Sequence, residues 1–196
     1  MAGKTEKRRA ALRKNLISIA DQVVRTEGLS ALKARDLAQK AGCSVGAIYN
    51  VFGDLNDLIL EVNAQIFRDL GQAVTDALEN APDEPVPQLV EMARAYHKFA
   101  ETNRKAWRAI FAMRWPGGES APDWYLHDMA ALLARIDGPL AQLFPDLSNT
   151  DRALMTRTLF SSVHGIVVLG LNDDSAGVPR DEIDRMIALL LQRLTR

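Results

Sequence analysis

Apolar residues recur at helical spacing along almost the whole chain, and the strand signature is missing. Leu12, Leu16, Ile17, Ala20, Val23 and Val24 fall on one face of a 3.6-residue period that stops at Gly28, a residue suited to ending a helix. Alternating β-branched runs bounded by turns do not occur. Ile166-Val167-Val168 comes nearest and lies inside a longer helical pattern. The pattern predicts an all-α fold. A short helix is expected over 32–41 and another from Ser44 through Phe52. A longer one, capped by Asp54, should run to about Glu79 through Leu58, Val62, Ile66, Leu70 and Val74. Residues 80–87, with three prolines, read as a loop. Further helices are expected from Gln88 to Arg114 and over 122–137, 139–144, 149–171 and 179–195.

Composition narrows the class. The chain has 196 residues, 47% apolar and 25% charged, an ordinary globular balance. One cysteine, Cys43, excludes an intramolecular disulfide and a tetrathiolate zinc site within the chain, and it fits a reducing compartment. No run of about 18 apolar residues suggests a membrane span, and the basic first residues lack the apolar stretch of a signal peptide. A cytoplasmic protein with no membrane partner is expected. Charge is divided unevenly: residues 1–60 carry ten Lys/Arg and six Asp/Glu, and the remainder fourteen and nineteen. A basic end on an acidic body suggests an anionic partner met at one end; the competing reading is a solvated N-terminal arm.

The segment 33–52 has the make-up of a helix-turn-helix. Two short helices that cross closely need a small residue at the crossing, a glycine in the turn and an apolar residue facing inward from the second helix. Ala38, Gly42 and Ile48 stand at those offsets, with Phe52 one turn further. The second helix opens on small residues, Ser44, Val45, Gly46 and Ala47, which let backbone approach another surface. Lys33, Arg35 and Lys40 flank it. Free N–H groups at a helix start attract phosphate, and a short helix with basic or hydroxylated neighbours is what major-groove docking requires.

From about Arg13 to Asn63 the chain resembles the tetracycline-repressor-like (TetR) transcriptional regulators. The resemblance rests on GLSALKARDLAQKAGCSVGAIYNVFGDLNDLI, where Ala38, Gly42, Ser44, Gly46, Ile48, Tyr49, Phe52 and Leu58 match the family pattern. It implies a three-helix DNA-binding domain over 9–70 and a C-terminal helical ligand-binding and dimerisation domain over 71–196. It also implies that Lys33, Arg35, Lys40, Ser44, Val45, Gly46, Ala47, Tyr49 and Asn50 meet double-stranded operator DNA. Tyr49 would set its hydroxyl on a phosphate with its ring beneath the helix; the alternative is a core tyrosine. Asn50 suits bidentate pairing with adenine, or it is a solvated amide. Ala47 could meet a thymine methyl. Leu55 stands where the family usually has a phosphate-touching lysine, which shifts weight to Lys33, Lys40 and the 4–14 arm. Gly42 to Gly46 also fits a nucleophile elbow, but that motif follows a strand, and 34–41 reads as helix.

The C-terminal part is rich in aromatic and thioether side chains. Tyr96, Phe99, Trp107, Phe111, Trp115, Met129, Phe160 and His164 are expected to converge as the walls of a pocket for a small, mostly apolar inducer, with His97 among its few polar groups. A plain packed core is the competing reading. Val163-His164-Gly165 occupies the place of a Trp-His-Gly run in one C-terminal type of the family, with the tryptophan lost. His127 completes the histidines, which lack metal-ligand spacing. No HExxH, P-loop or dinucleotide fingerprint occurs, so no enzyme activity, cofactor or metal is expected. The expected protein is a homodimeric repressor released from its operator by a ligand. The rival is a DNA-binding regulator without a ligand, controlled by a protein partner.

Overall fold

The computed structural model describes residues 2–79, 81–113, 121–172 and 177–194. Every regular element among them is helical. In order these are α1 (Ala2–Thr26), α2 (Ala34–Ala41), α3 (Val45–Val51), α4 (Leu55–Glu79), α5 (Pro85–Thr102), α6 (Arg104–Ala112), α7 (Asp123–Leu143), α8 (Asn149–Gly170) and α9 (Ile183–Leu194). Short 3-10 turns occupy Leu29–Ala31 and Arg180–Glu182. The all-α reading of the periodicity holds.

The chain forms two compact units, and they do not follow chain order. One comprises Met1–Phe67 with Asn103–Ala121; the other comprises Arg68–Thr102 with Pro122–Arg196. Chain order alone would keep residues 71–196 together. Residues 103–121 group with the first unit because α6 lays Ala106, Trp107, Ala109 and Ile110, all buried, against α1 and the 3-10 turn after it. The Lys105 ammonium also donates to the Thr26 carbonyl at the end of α1. The core of this unit is completed by Leu16, Ala20 and Val24 of α1, Leu37 and Ala38 of α2, Ile48 of α3 and Leu58, Val62 and Ile66 of α4.

In the second unit α7 packs on α8, and α5 packs on α7, α8 and α9. Leu89, Leu140, Leu159, Val167, Ile183 and Ile187 are buried there. His97 of α5 is bonded through Nδ1 to Asp184 of α9 at 2.7 Å, while its Nε2 is buried with no partner among the described residues. Arg152 of α8 pairs with Asp137 of α7 at 2.8 Å. α8 is long and apolar enough by composition to cross a bilayer; here it packs against α7 and α9.

Several boundaries differ from the sequence reading. The helix expected from Gln88 to Arg114 is two helices, broken at Asn103 (φ −114°, ψ 39°). α5 starts earlier than expected, since Pro85-Val86-Pro87 form its first turn, where a missing N–H leaves no helical bond unmade. The helices expected over 122–137 and 139–144 are one: Pro139 lies inside α7, its ring buried beside Leu140. That burial offsets the single hydrogen bond proline removes. α1 begins ten residues before Leu12.

Gly170 ends α8 where the chain returns to start α9. A Cβ at this position would lie 2.6 Å from Ile183 Cγ1 and 3.1 Å from Val178 Cγ1. Gly170→Ala must therefore move the start of α9, at a cost of about 1–3 kcal/mol. The same change at Gly165, whose missing Cβ meets nothing within 4 Å, should cost nothing. Urea unfolding of the two variants checks this, and equal losses would remove close approach as the cause.

Candidate nucleic-acid interface and interior cavity

The helix-turn-helix is built by a reversal that only a few residues tolerate. Gly42 takes a left-handed conformation (φ 65°, ψ 35°) directly after α2. The Cys43 N–H then reaches back to the Ala38 carbonyl at 3.0 Å and the Gly42 N–H to Gln39 at 3.2 Å, closing the free carbonyls of the helix end. Two residues later Ser44 starts α3, its hydroxyl accepting from the Ala47 N–H at 3.2 Å. Ala38 is 4% exposed and Ile48 0%, and α2 packs on α3, as a small crossing residue with an apolar residue facing inward from the second helix requires. Phe52 ends α3 with its ring buried, and the Arg13 guanidinium lies 5.2 Å over that ring. Arg13 also pairs with Glu61 of α4. Asp54 and Asp57 cap α4 reciprocally, the Asp57 N–H donating to the Asp54 carboxylate at 2.9 Å and the Asp54 N–H to that of Asp57 at 3.4 Å.

The outer surface of α3 is open. Gly46, Tyr49 and Asn50 are exposed, as is Ser44 at its start, and Val45 and Ala47 are half-buried. Tyr49 is 46% exposed, so its ring stands on the surface and is not a core tyrosine. Lys33 and Arg35 are exposed at the start of α2. Lys40 is exposed too, but its ammonium lies 3.6 Å from Glu27. Leu55 is half-buried at the start of α4. Cys43 is half-buried in the turn.

The second unit holds a half-open apolar cavity of about 60 Å³. Its walls come from α4, α5, α7, α8 and α9, and include Leu70, Val74, Met92, Tyr96, Ile136 and Phe160. Of the eight side chains expected to gather round a pocket, Tyr96 and Phe160 line this one. His164 stands behind them, its Nδ1 2.6 Å from the Tyr96 hydroxyl and its ring stacked on Phe160 at 5.6 Å. Four others depart from that expectation. Phe99 is buried in α5 away from the lining, and Met129 is exposed on α7. Trp107 and Phe111 belong to the first unit, ring against ring at 5.6 Å, because the break at Asn103 sends α6 there. Trp115 lies outside the described residues. His97 is engaged by Asp184 and does not line the cavity. The rest of the wall is aliphatic or thioether where aromatic side chains were expected. Apolar residues at i, i+4 spacing, Leu70 and Val74 in α4 and Leu89 and Ala93 in α5, were the available signal.

Burial pushes the His164 imidazole below the usual histidine pKa. A neutral ring lets the Tyr96 hydroxyl donate to Nδ1. In the pH window between this lowered value and the unfolded value of about 6.5 the unfolded chain binds more protons, so stability falls as pH drops through that window. His164→Gln should flatten this loss: the difference in melting temperature between variant and parent should shift in the variant's favour between pH 7.5 and pH 5.5. An unchanged difference would show that His164 carries no such linkage.

Known proteins share both sequence and fold with this chain. Residues 89–194 match the tetracyclin repressor-like C-terminal domain, over more than half of the chain. The HTH-type transcriptional regulator BetI of Stenotrophomonas maltophilia (strain R551-3) is 28% identical over 111 residues, 57% of this chain and 56% of that protein. The chain thus spans about half the length of the curated relatives it matches. A protein from Rhodococcus sp. RHA1 superposes with a TM-score of 0.74 at 25% identity, covering 93% of this chain and 94% of its own. RolR, solved in complex with resorcinol, superposes at 0.69 with 19% identity, covering 96% and 89%. The domain match, with a helix-turn-helix ahead of it, shows that the chain belongs to the tetracyclin repressor-like family.

Proposed function

We propose that this protein is a DNA-binding transcriptional regulator acting as a homodimeric repressor, with α3 read into the major groove of operator DNA. The observation that carries the reading is the surface of α3. Tyr49 and Asn50 are exposed on a two-turn helix whose capped start is made of small residues. Lys33 and Arg35 stand beside it as backbone-holding cations. In this reading Tyr49 and Ser44 hold phosphates, Asn50 reads a base, and Val45, Gly46 and Ala47 permit close approach; Lys40 contributes after releasing Glu27.

Dimerisation is supported by unpartnered apolar side chains on the last two helices. Leu154 is 54% exposed and Leu169 48% on α8, and Leu189 is 57% exposed on α9. Large exposed leucines on two helices that pack together suit an association surface. A two-fold dimer would present two recognition helices to half-sites about 34 Å apart or a multiple of it.

Release by a small, mostly apolar ligand is supported by the cavity in the second unit, whose polar contribution is the Tyr96 hydroxyl, bonded to His164 behind it. Its size favours a second reading as well. A cavity of about 60 Å³ is smaller than the roughly 150 Å³ that holds a benzene ring, so a ring-sized ligand must displace wall side chains or extend through the open side. A regulator controlled by a protein partner needs no such displacement. Thermal shift across a panel of neutral aromatic compounds, followed by DNA release, separates the two: a stabilising compound that releases DNA supports the ligand, and one that binds without release supports the partner.

In vitro selection from a random duplex pool supplies the operator. Against it, Asn50→Ala should relax preference at one base position by about 1–3 kcal/mol, and Tyr49→Phe should weaken specific and random DNA alike. Equal losses on both DNAs for Asn50→Ala would remove its base-reading role. Sedimentation should give a dimer at micromolar concentration, converted to monomer by Leu189→Glu. A monomeric parent would refute the assembly.

A further inference from the structure

The first turns of α1 form a basic helix with no packing of its own. Residues 3–11 are all exposed, whereas the core face of α1 starts at Leu16 and continues through Ala20, Val23 and Val24. Opposite that face, Lys4, Lys7, Arg8, Ala11, Lys14, Asn15 and Ser18 recur at intervals of three and four residues and make one stripe. The stripe contains four cations and no acid; Glu6, the nearest acid, projects from another side. Among the described residues none of the four cations is paired. Arg13, Arg25 and Lys40 of the same unit are engaged by Glu61, Asp21 and Glu27.

We propose that this projecting basic helix is a second DNA-binding element that lies along the phosphate backbone beside the site read by α3. The proposal rests on the DNA-binding reading of the helix-turn-helix. Position supports it: Arg13 stacks on Phe52, the residue that ends α3, so the projecting turns leave the fold at the end of the recognition helix that carries Tyr49 and Asn50. Charge and length support it too. Lys4 to Lys14 span about 15 Å of helix axis, along which one DNA strand carries about four phosphates. The first turn of α1 holds no acidic residue to oppose the approach. The exposed Lys, Arg and Ala of these turns are good helix formers, so the stripe is presented without burial.

The test is fluorescence anisotropy of the full chain on a 40-base-pair random-sequence duplex between 50 and 300 mM salt. It is repeated with Lys4→Gln/Lys7→Gln/Arg8→Gln/Lys14→Gln, whose exposed positions should leave the melting temperature unchanged. The slope of log affinity against log salt should fall by up to about 3.6 per bound chain, 0.9 for each of the four cations. Ala11→Pro, which keeps every charge and breaks the helix, should lose a comparable part of that slope. Parent binding with an unchanged slope in the quadruple variant overturns the proposal and leaves the α3 reading standing. An Ala11→Pro variant identical to the parent overturns the helical stripe in favour of a loose tail. Failure of the parent to bind the duplex at 50 mM salt overturns both readings. Retention on phosphatidylserine vesicles that the quadruple variant loses, with an unchanged DNA slope, would assign the stripe to a membrane surface and overturn the proposal.

Discussion

The turn at Gly42 is the constraint on which the candidate interface depends. A residue with φ near 65° is strained for any side chain with a Cβ, and here it must also let the next N–H groups return to the end of α2. Because that reversal takes so few residues, α3 is forced back across α2 at close range, and the crossing accepts only a small side chain on one helix. Ala38 supplies it, and Ile48 fills the remaining space. With the inner face of α3 spent on that contact, its outer face is left to solvent. Ser44 satisfies the helix start from its own side chain, so no neighbouring element has to cover it. The exposed surface of a two-turn helix is a consequence of how it is anchored.

Charge follows the same division in the first unit. Cations near the core side are consumed by carboxylates: Arg13 by Glu61, Arg25 by Asp21, Lys40 by Glu27. These pairs are at least partly exposed and each contributes little to stability. They do fix where positive charge is not available. What remains open lies at Lys33 and Arg35 and along the first turns of α1, so the basic excess of the first 60 residues is concentrated on two surfaces.

The second unit shows how few polar groups an apolar helical body admits. Tyr96 and His164 satisfy one another next to the cavity, and His97 is held by a carboxylate from α9. Each of these pairs links helices far apart in sequence, and each sets a ring orientation that aliphatic packing alone would leave free. The Tyr96–His164 pair borders the cavity wall, so the polar character offered to that space is one hydroxyl already in use.

The sequence by itself determined the all-α class, the helix-turn-helix with its turn and crossing residues, and the family resemblance, because these depend on local periodicity and on offsets of a few residues. Ala38, Gly42, Ser44 and Ile48 could be assigned roles from spacing alone, since the geometry they serve is closed within one hairpin. Only the tertiary structure decided which helices keep company. The pattern of residues 88–114 reads as one apolar stripe, and nothing in its period reveals that Asn103 leaves helical geometry and sends Trp107 and Phe111 to a different unit from Tyr96 and Phe99. Pro139 reads as a breaker until the burial that retains it inside α7 is seen. The extent of α1 was likewise hidden, because turns that bury nothing carry no hydrophobic period to announce them. Periodicity reports that a face is buried; it does not report against what, and the partner of each face is settled by long-range packing.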